Sequence, residues 1–510
     1  MRVVICGAGT AGCVLAARLS ESEDLDVTIL EVGPHYRPGR WPAALTHSHR
    51  IIKETHDWGY LARAGESPKS VHVPRGRVVG GSSVTNGAIA LRGHPQHYDE
   101  WGAIVDGYGW DDWLPWLCSI EQDRQFGEAA YHGDAGPIPI SRYPRGAFFE
   151  FQERFVEAAL ARGHGWIDDH NAPGAVGIGP IPLNMDDGVR QTPADRYLDP
   201  ALARPNLTLH AGVLVDRIRF HDGRAAAVEA VGPGGESLTL PADQVVMALG
   251  TYATPAALLR SGVGPKDELA RHAIPVEHEV PGLGRGMQDH PKIGYRFDLG
   301  IPAPEWPSPW YQVLLTGSNE VEGERRYFQI MPYSGFRDGG HLVTDFNVQV
   351  ADARSRRGSV RLQSRNPTEQ PVIDMGWFGD PADLASAVAA GRRVMELASA
   401  PSLKDIITPW PRMQDPDHAL RAVETFHHPV GSCRMGRDDD PDAVVDAGGR
   451  LRGVVGVTIA DASVIARVPS ANCHLAVIAL AERLAHGLHE HLASALGKRT
   501  KVTPVEPHAP

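Results

Sequence analysis

A short apolar run that breaks into glycines spaced G-x-G-x-x-G, and then passes directly into a helical pattern, constrains this chain more than any other stretch. Val3 to Cys6 reads as a strand buried in a parallel sheet, and the break falls at Gly7, Gly9 and Gly12. Val14, Leu15 and Leu19 recur at helical spacing, the helix is expected to end near Glu21 to Asp24, and a second strand spans Val27 to Leu30, closed by Glu31. Gly7 permits the tight strand-to-helix turn, Gly9 lets the backbone approach a pyrophosphate, and Gly12 lets helix and strand pack closely. The helix start adds amide donors and a positive dipole end. Glu31, nineteen residues after Gly12, is placed to accept from ribose hydroxyls. A lone glycine motif means little in a chain with 55 glycines, but strand, glycines, helix, strand and acid in this order predict a dinucleotide site. NAD and FAD both satisfy it, and a carboxylate at position 31 disfavours the 2′-phosphate of NADP.

At 510 residues the chain exceeds one ordinary core, so two intertwined domains are expected. No apolar run reaches the roughly 18 residues of a membrane span, and the first strand starts at the N-terminus, so no membrane span and a cytoplasmic location are expected. The five cysteines are scattered and form no C-x-x-C pair, which indicates neither a disulfide framework nor a metal site. A net charge of −12 argues against a nucleic-acid partner and keeps cationic substrates in view. The aspartates of 438–442 read as a solvated turn.

The stretch from Pro74 to Trp101, PRGRVVGGSSVTNGAIALRGHPQHYDEW, carries a donor-rich turn, Gly80-Gly81-Ser82-Ser83, and an Asn86-Gly87 step that lets backbone approach a flat ligand. Farther on come the strand-like alternation of Leu207, Leu209, Val213, Val215 and Ile218, a buried strand at Gln244 to Leu249, the segment GTYATPAALLRSGVGP from Gly250 to Pro265, and the strings FHHPVGSCRMG (Phe426 to Gly436) and DASVIARVPSANCHLAV (Asp461 to Val477). In this order they resemble the glucose-methanol-choline (GMC) oxidoreductases, close to bacterial choline dehydrogenase, over Val3 to about Leu488.

The resemblance implies an α/β fold: a Rossmann-type FAD-binding domain made of residues 1–150, 187–291 and 420–495, an antiparallel-sheet substrate domain made of 151–186 and 292–419, and a flexible tail at 496–510. It implies FAD contacts at Gly7, Gly9, Thr10, Ala11, Gly12, Glu31, Val79, Gly81, Ser82, Ser83, Asn86, Gly87, Ala88, Val213, Asp461, Ala462 and His474. Some relatives attach flavin through a histidine near positions 84 and 85; Val84 and Thr85 stand there, so noncovalent FAD is expected. His290, in Gln288-Asp289-His290-Pro291, matches a recurrent family position read as structural.

Independently of the resemblance, residues 292–414 alternate polar and apolar, as an antiparallel sheet requires, with Ser359 to Leu362 and Pro371 to Met375 read as its continuation. Helices are expected at Asp112 to Asp123, Phe148 to Arg162 and Pro381 to Ala400.

Among 24 histidines, position alone singles out none. The H-P-x-G-x-C-R-M-G string marks His428 as the residue that faces the flavin in relatives, and His474, 46 residues later, falls where relatives place a second His or an Asn. Oxidising an alcohol moves a hydride from carbon and a proton from the hydroxyl, so a group of near-neutral pKa must take that proton. His428 is assigned as the general base and His474 as the group that anchors the hydroxyl, with the roles reversible and His427 as the rival for the first. The expected activity is FAD-dependent oxidation of a primary alcohol or a sugar or polyol hydroxyl, with oxygen or another electron acceptor. Two alternatives on the same fold are a non-redox lyase acting on hydroxynitriles and a fatty-acid photodecarboxylase. Trp306, Trp310, Tyr311, Phe328 and Trp410 are candidate pocket-wall residues, equally suited to a core.

Overall fold

The apolar run at the N-terminus, here the strand Arg2–Cys6, lies at the centre of a five-stranded parallel sheet. In a computed structural model, which describes residues 1–46, 51–67, 69–305, 309–411, 413, 415 and 417–497, the strand order is Leu207–Ala211, Asp26–Glu31, Arg2–Cys6, Gln244–Met247, Val457–Ile459. Val3 pairs with Val27 on one side and with Gln244 on the other. Val3, Ile5 and Cys6 are fully buried because the helix Thr10–Leu19 and the three-stranded sheet of Leu214–His221, Arg224–Val231 and Ser237–Pro241 pack on the strands, and a parallel sheet requires cover on its faces. The helix Thr10–Leu19 packs against the long helix His474–Ala495, so chain segments more than 450 residues apart build one core.

Gly7 turns the chain at φ 99°, and a Cβ there would stand 2.5 Å from the Ala248 carbonyl oxygen. At Gly12 a Cβ would lie 1.9 Å from the Gly7 carbonyl oxygen, so the helix approaches the strand as the spacing requires. The carboxyl ends of the central strands therefore open onto one crevice, where ligands of open α/β sheets sit.

A second sheet is antiparallel along its main path: Ile407–Pro409, Pro291–Leu299, His341–Val350, Glu324–Pro332, Val313–Val321 and Gly177–Pro180. The helices Glu150–Ala161 and Pro381–Ala398 pack on it, and Phe151, Phe155, Phe297 and Phe346 fill the space between.

Several elements differ from the sequence reading. The strands Gly358–Arg361 and Val372–Asp374 do not extend the large sheet; they pair with Arg285–Met287 and Leu61–Arg63 in a separate five-stranded sheet. The helix expected from Asp112 starts at Trp110, because Asp112 accepts from the Gly109 amide and Asp99 from the Trp110 amide. It stops at Ile120, since Glu121 turns into a buried cluster with Arg92 and His132. Leu160, counted in the apolar content of the helix Glu150–Ala161, is 37% exposed. Residues 498–510 of the expected tail lie outside the described residues, and no helix among the described residues is long and apolar enough to cross a membrane.

Candidate active site

A single cavity of about 320 Å³ runs from the glycine turn to the histidines. At one end, Glu31 closes its strand and is nearly buried, with Oε2 accepting from the Ala8 amide (3.1 Å) and Oε1 from the Gly33 amide (2.8 Å). Burial pushes its carboxyl up to about 7 despite these donors. Val213 donates its amide to the Glu31 carbonyl (2.9 Å), so its own carbonyl is the group left to meet a nucleobase.

Gly9 differs from its neighbours in the motif. A Cβ there would find no protein atom closer than the Ala248 carbonyl oxygen at 4.0 Å, so protein packing does not explain its bareness, whereas a phosphate approaching the backbone would. The helix that starts at Thr10 has no side-chain cap and no acid in its first turn, which leaves its first amides for an anion. Gly81 closes on the same point, a Cβ on it standing 2.8 Å from Gly9 Cα. Together these features form a cradle that fits the pyrophosphate of a dinucleotide.

Asp461 ties the third wall together. Its carboxylate caps the short turn Ala462–Val464 through the Ser463 amide (2.8 Å) and accepts from the Gly250 amide (2.8 Å) and Thr254 Oγ1 (2.6 Å). Asn86 uses its Oδ1 to hold the Ala88 amide (2.8 Å) and Arg190 (2.6 Å), while Tyr311 donates to the Gly87 carbonyl (2.6 Å).

Gly7, Gly9, Thr10, Ala11, Glu31, Gly81, Ser82, Ser83, Asn86, Gly87, Val213, Asp461, Ala462, His428 and His474 all line the cavity. Three do not. Gly12 packs on the strand, Val79 is buried with its amide on the Pro34 carbonyl, and Ala88 has its amide on Asn86 and its carbonyl on the Asn184 amide. Of the described wall candidates only Tyr311 lines it. Trp310 packs against Phe336, Phe328 lies in the core, Trp410 donates to Asp298, and Trp306 lies outside the described residues.

At the other end three histidines gather. The His428 amide donates to Asp289 Oδ1 (2.7 Å), whose other oxygen accepts from Thr425 Oγ1 (2.8 Å), and His428 Nδ1 lies 2.9 Å from His290 Nδ1. His428 Nε2 is thus the nitrogen left to the cavity. Burial, with His290, His427 and Arg75 nearby, holds the His428 pKa well below 6.5. His474 opens its helix and is pushed down to about 4, first by burial and then by Arg190. Its Nε2 and the Asn472 Oδ1 are buried polar atoms without a protein partner, as expected of groups that serve a ligand.

His427, the rival, also lines the cavity, on a backbone held at φ 71° by its amide on Thr425 and its carbonyl on Arg75. The sequence reading gave no role to Asp289; only its adjacency to His290 could have signalled it.

A dinucleotide cradle joined to a buried histidine cluster defines a nucleotide-cofactor oxidoreductase of the flavin type. Family models for GMC oxidoreductases match residues 1–292 and 353–481. The chain is 31% identical to oxygen-dependent choline dehydrogenase 1 of Chromohalobacter salexigens over 94% of this chain and 93% of that protein. It is 32% identical to 5-(hydroxymethyl)furfural oxidase of Methylovorus sp., over 95% and 98% of the two chains. The crystal structure of pyridoxine 4-oxidase from Mesorbium loti matches with a TM-score of 0.88 at 29% identity, covering 96% of this chain and 99% of that one. The chain therefore belongs to the GMC oxidoreductase family, flavoproteins that use FAD, and is an FAD-dependent alcohol oxidoreductase.

Proposed function

We propose that the protein oxidises a primary alcohol carried on an uncharged, largely apolar or aromatic body to the aldehyde, with His428 Nε2 taking the hydroxyl proton. The observation that carries this reading is the single open nitrogen of His428, whose Nδ1 and amide are both committed to protein partners.

FAD, when bound, supplies the hydride acceptor. Glu31 would receive the ribose, Gly9, Thr10, Ala11, Gly81, Ser82 and Ser83 the pyrophosphate, and Asn86, Gly87 and Ala462 the flat ring. The link is noncovalent, since Thr85 rather than a histidine faces the cavity near the attachment point used by some relatives.

His428 is neutral at physiological pH in its buried setting, so its lone pair is available without prior deprotonation. His474 Nε2, carrying its proton, donates to the hydroxyl oxygen and holds it in line, and Asp289 fixes the loop that carries the base. The uncapped start of the helix His474–Ala495 directs its positive end at the same spot and favours electron-rich species there.

Substrate charge follows from the walls. Ile51, Ile89, Tyr311, Met331, Tyr333 and Phe426 supply apolar surface. Among the described lining residues the carboxylates are Glu31, Asp461 and Glu369. Glu31 stands at the nucleotide end and Asp461 is bonded to protein donors. Glu369 is exposed to solvent, and Arg75 and Lys292, the latter paired with Glu424 (2.7 Å), line the cavity too, so a quaternary ammonium gains little at this end.

The test is His428→Ala in FAD-loaded protein. The rate of anaerobic flavin reduction by a benzylic or furanic alcohol should fall roughly 10² to 10⁴-fold with flavin content retained. An unchanged rate assigns the proton to another group.

A further inference from the structure

The nitrogen of His428 that faces the alcohol can act as a base only if it carries no proton, and in a neutral imidazole that is decided by what the other nitrogen does. Here the other nitrogen meets a second histidine. His290 Nδ1 lies 2.9 Å from His428 Nδ1, with the rings nearly perpendicular at 83°. One proton serves that contact, so one nitrogen donates and the other accepts.

Gln349 breaks the tie. Its side-chain nitrogen stands 3.2 Å from the same His290 Nδ1, and an amide NH₂ can only donate. We propose that His290, held by Gln349, is a positioning residue that accepts from His428 Nδ1–H and so keeps His428 in the tautomer whose Nε2 is bare toward the cavity. With the opposite polarity, His290 would donate, His428 would carry its proton on Nε2, and the group facing the alcohol would be a donor.

The surroundings make this arrangement rigid. His290 and Gln349 are fully buried, and Gln349 sits on the strand His341–Val350, paired with Lys292 of the strand that starts at Pro291. The segment Asp289–His290 grips the histidine loop at further points: Asp289 holds Thr425 and the His428 amide, and the His290 carbonyl accepts from the Phe426 amide (3.1 Å). His290 stays neutral because burial and then the Arg467 charge push its pKa down to about 3, with Asp352 opposing the shift. With both rings uncharged near neutral pH, the single-proton reasoning holds across the working range. The sequence marks His290 only as a recurrent position; the contact with the base joins residues 138 positions apart.

The proposal rests on His428 being the base, and its test separates the two. Gln349→Glu replaces the donor by a carboxylate of the same shape. Ionised, that carboxylate draws the proton onto His290 Nδ1 and reverses the relay; protonated, it can still donate. The FAD-loaded variant should lose roughly 10² to 10⁴-fold in the rate of anaerobic flavin reduction at alkaline pH, the range a misplaced base proton costs, and recover as pH falls. KM and flavin content should stay near those of the parent. A merely structural role predicts no such new alkaline limb, and a rate equal to the parent's from pH 6 to 9 overturns the proposal.

If the variant does not fold, ¹⁵N-histidine spectra of the native holoenzyme decide, with His428→Asn assigning the signal. A protonated Nδ1 and bare Nε2 support the relay, and a protonated Nε2 overturns it. That spectrum does not depend on catalysis, so a His428→Ala enzyme of full rate would defeat the base assignment whichever tautomer is found.

Discussion

Glu31→Gln sets two effects of one side chain against each other. In the apo-protein the buried carboxyl titrates near 7 instead of its ordinary 4.5, a difference worth about 3 kcal/mol. Because the folded pKa is raised, the fold prefers the neutral acid. The destabilisation is absent below pH 4.5, grows from 4.5 to 7 and is complete above 7. A glutamine removes that cost at pH 8 but has one oxygen where the carboxylate uses two, so either the Ala8 or the Gly33 amide loses its acceptor, at about 1–3 kcal/mol. The two nearly cancel, and the apo melting temperature at pH 8 should move little or rise slightly. FAD binding has no such compensation. Exchanging a charged acceptor for a neutral amide costs about 1 kcal/mol per ribose hydroxyl bond, so Kd should weaken roughly 5-fold per bond in a flavin fluorescence titration. A Kd within twofold of the parent's removes the ribose role. A large fall in apo stability at pH 8 with unchanged Kd shows instead that the ionised carboxylate serves the fold alone.

Gly9→Ala and Gly12→Ala should separate ligand from packing. The first meets no protein atom within ordinary contact and should leave the apo melting temperature nearly unchanged while weakening FAD retention, whereas the second collides with the Gly7 carbonyl and should destabilise the apo-protein by about 1–3 kcal/mol or more. Tyr311→Phe removes the hydroxyl from the Gly87 carbonyl and should cost about 1 kcal/mol in thermal unfolding. Six histidines, His94, His170, His290, His427, His428 and His474, have depressed pKa values, so the unfolded chain takes up their protons first and stability is lost as pH falls from 6.5 toward 4, by about 1.4 kcal/mol per pH unit for each. Glu31, Asp289 and Asp383, with raised values, oppose this, so the net change should be a fall in melting temperature between pH 6.5 and 5; a rise would contradict the balance of burial. For the same reason kcat/KM should show no acid limb near pH 6.5, and a clear loss there would place His428 in a wetter setting.

The nucleotide half was legible because its constraints are local. Gly7, Gly12 and Glu31 act within one strand–helix–strand unit, and sequence spacing alone states their geometry. The large antiparallel sheet was legible from its alternation, but the partner of Val372–Asp374 was not, since Leu61–Arg63 lies roughly 300 residues away and register carries no sequence mark. Val79 precedes and Ala88 follows the cofactor loop in sequence, yet neither lines the cavity, their backbone groups being held by Pro34, Asn86 and Asn184. His428 could be found from its motif. What orients it, His290 just before the strand Pro291–Leu299 and Gln349 on the strand His341–Val350, lies far away along the chain, and only the fold brings those residues together.

The measurement that bears most directly on the central claim is an anaerobic absorbance titration of the FAD-loaded protein with a benzylic or furanic primary alcohol beside choline and a polyol. The account predicts full bleaching of the flavin by the uncharged aromatic alcohol, with weak or no bleaching by choline, and the recovery of colour in air reports whether oxygen accepts the electrons. An intact, yellow protein that no alcohol bleaches contradicts oxidation at this site, and bleaching by choline alone contradicts the reading of its walls.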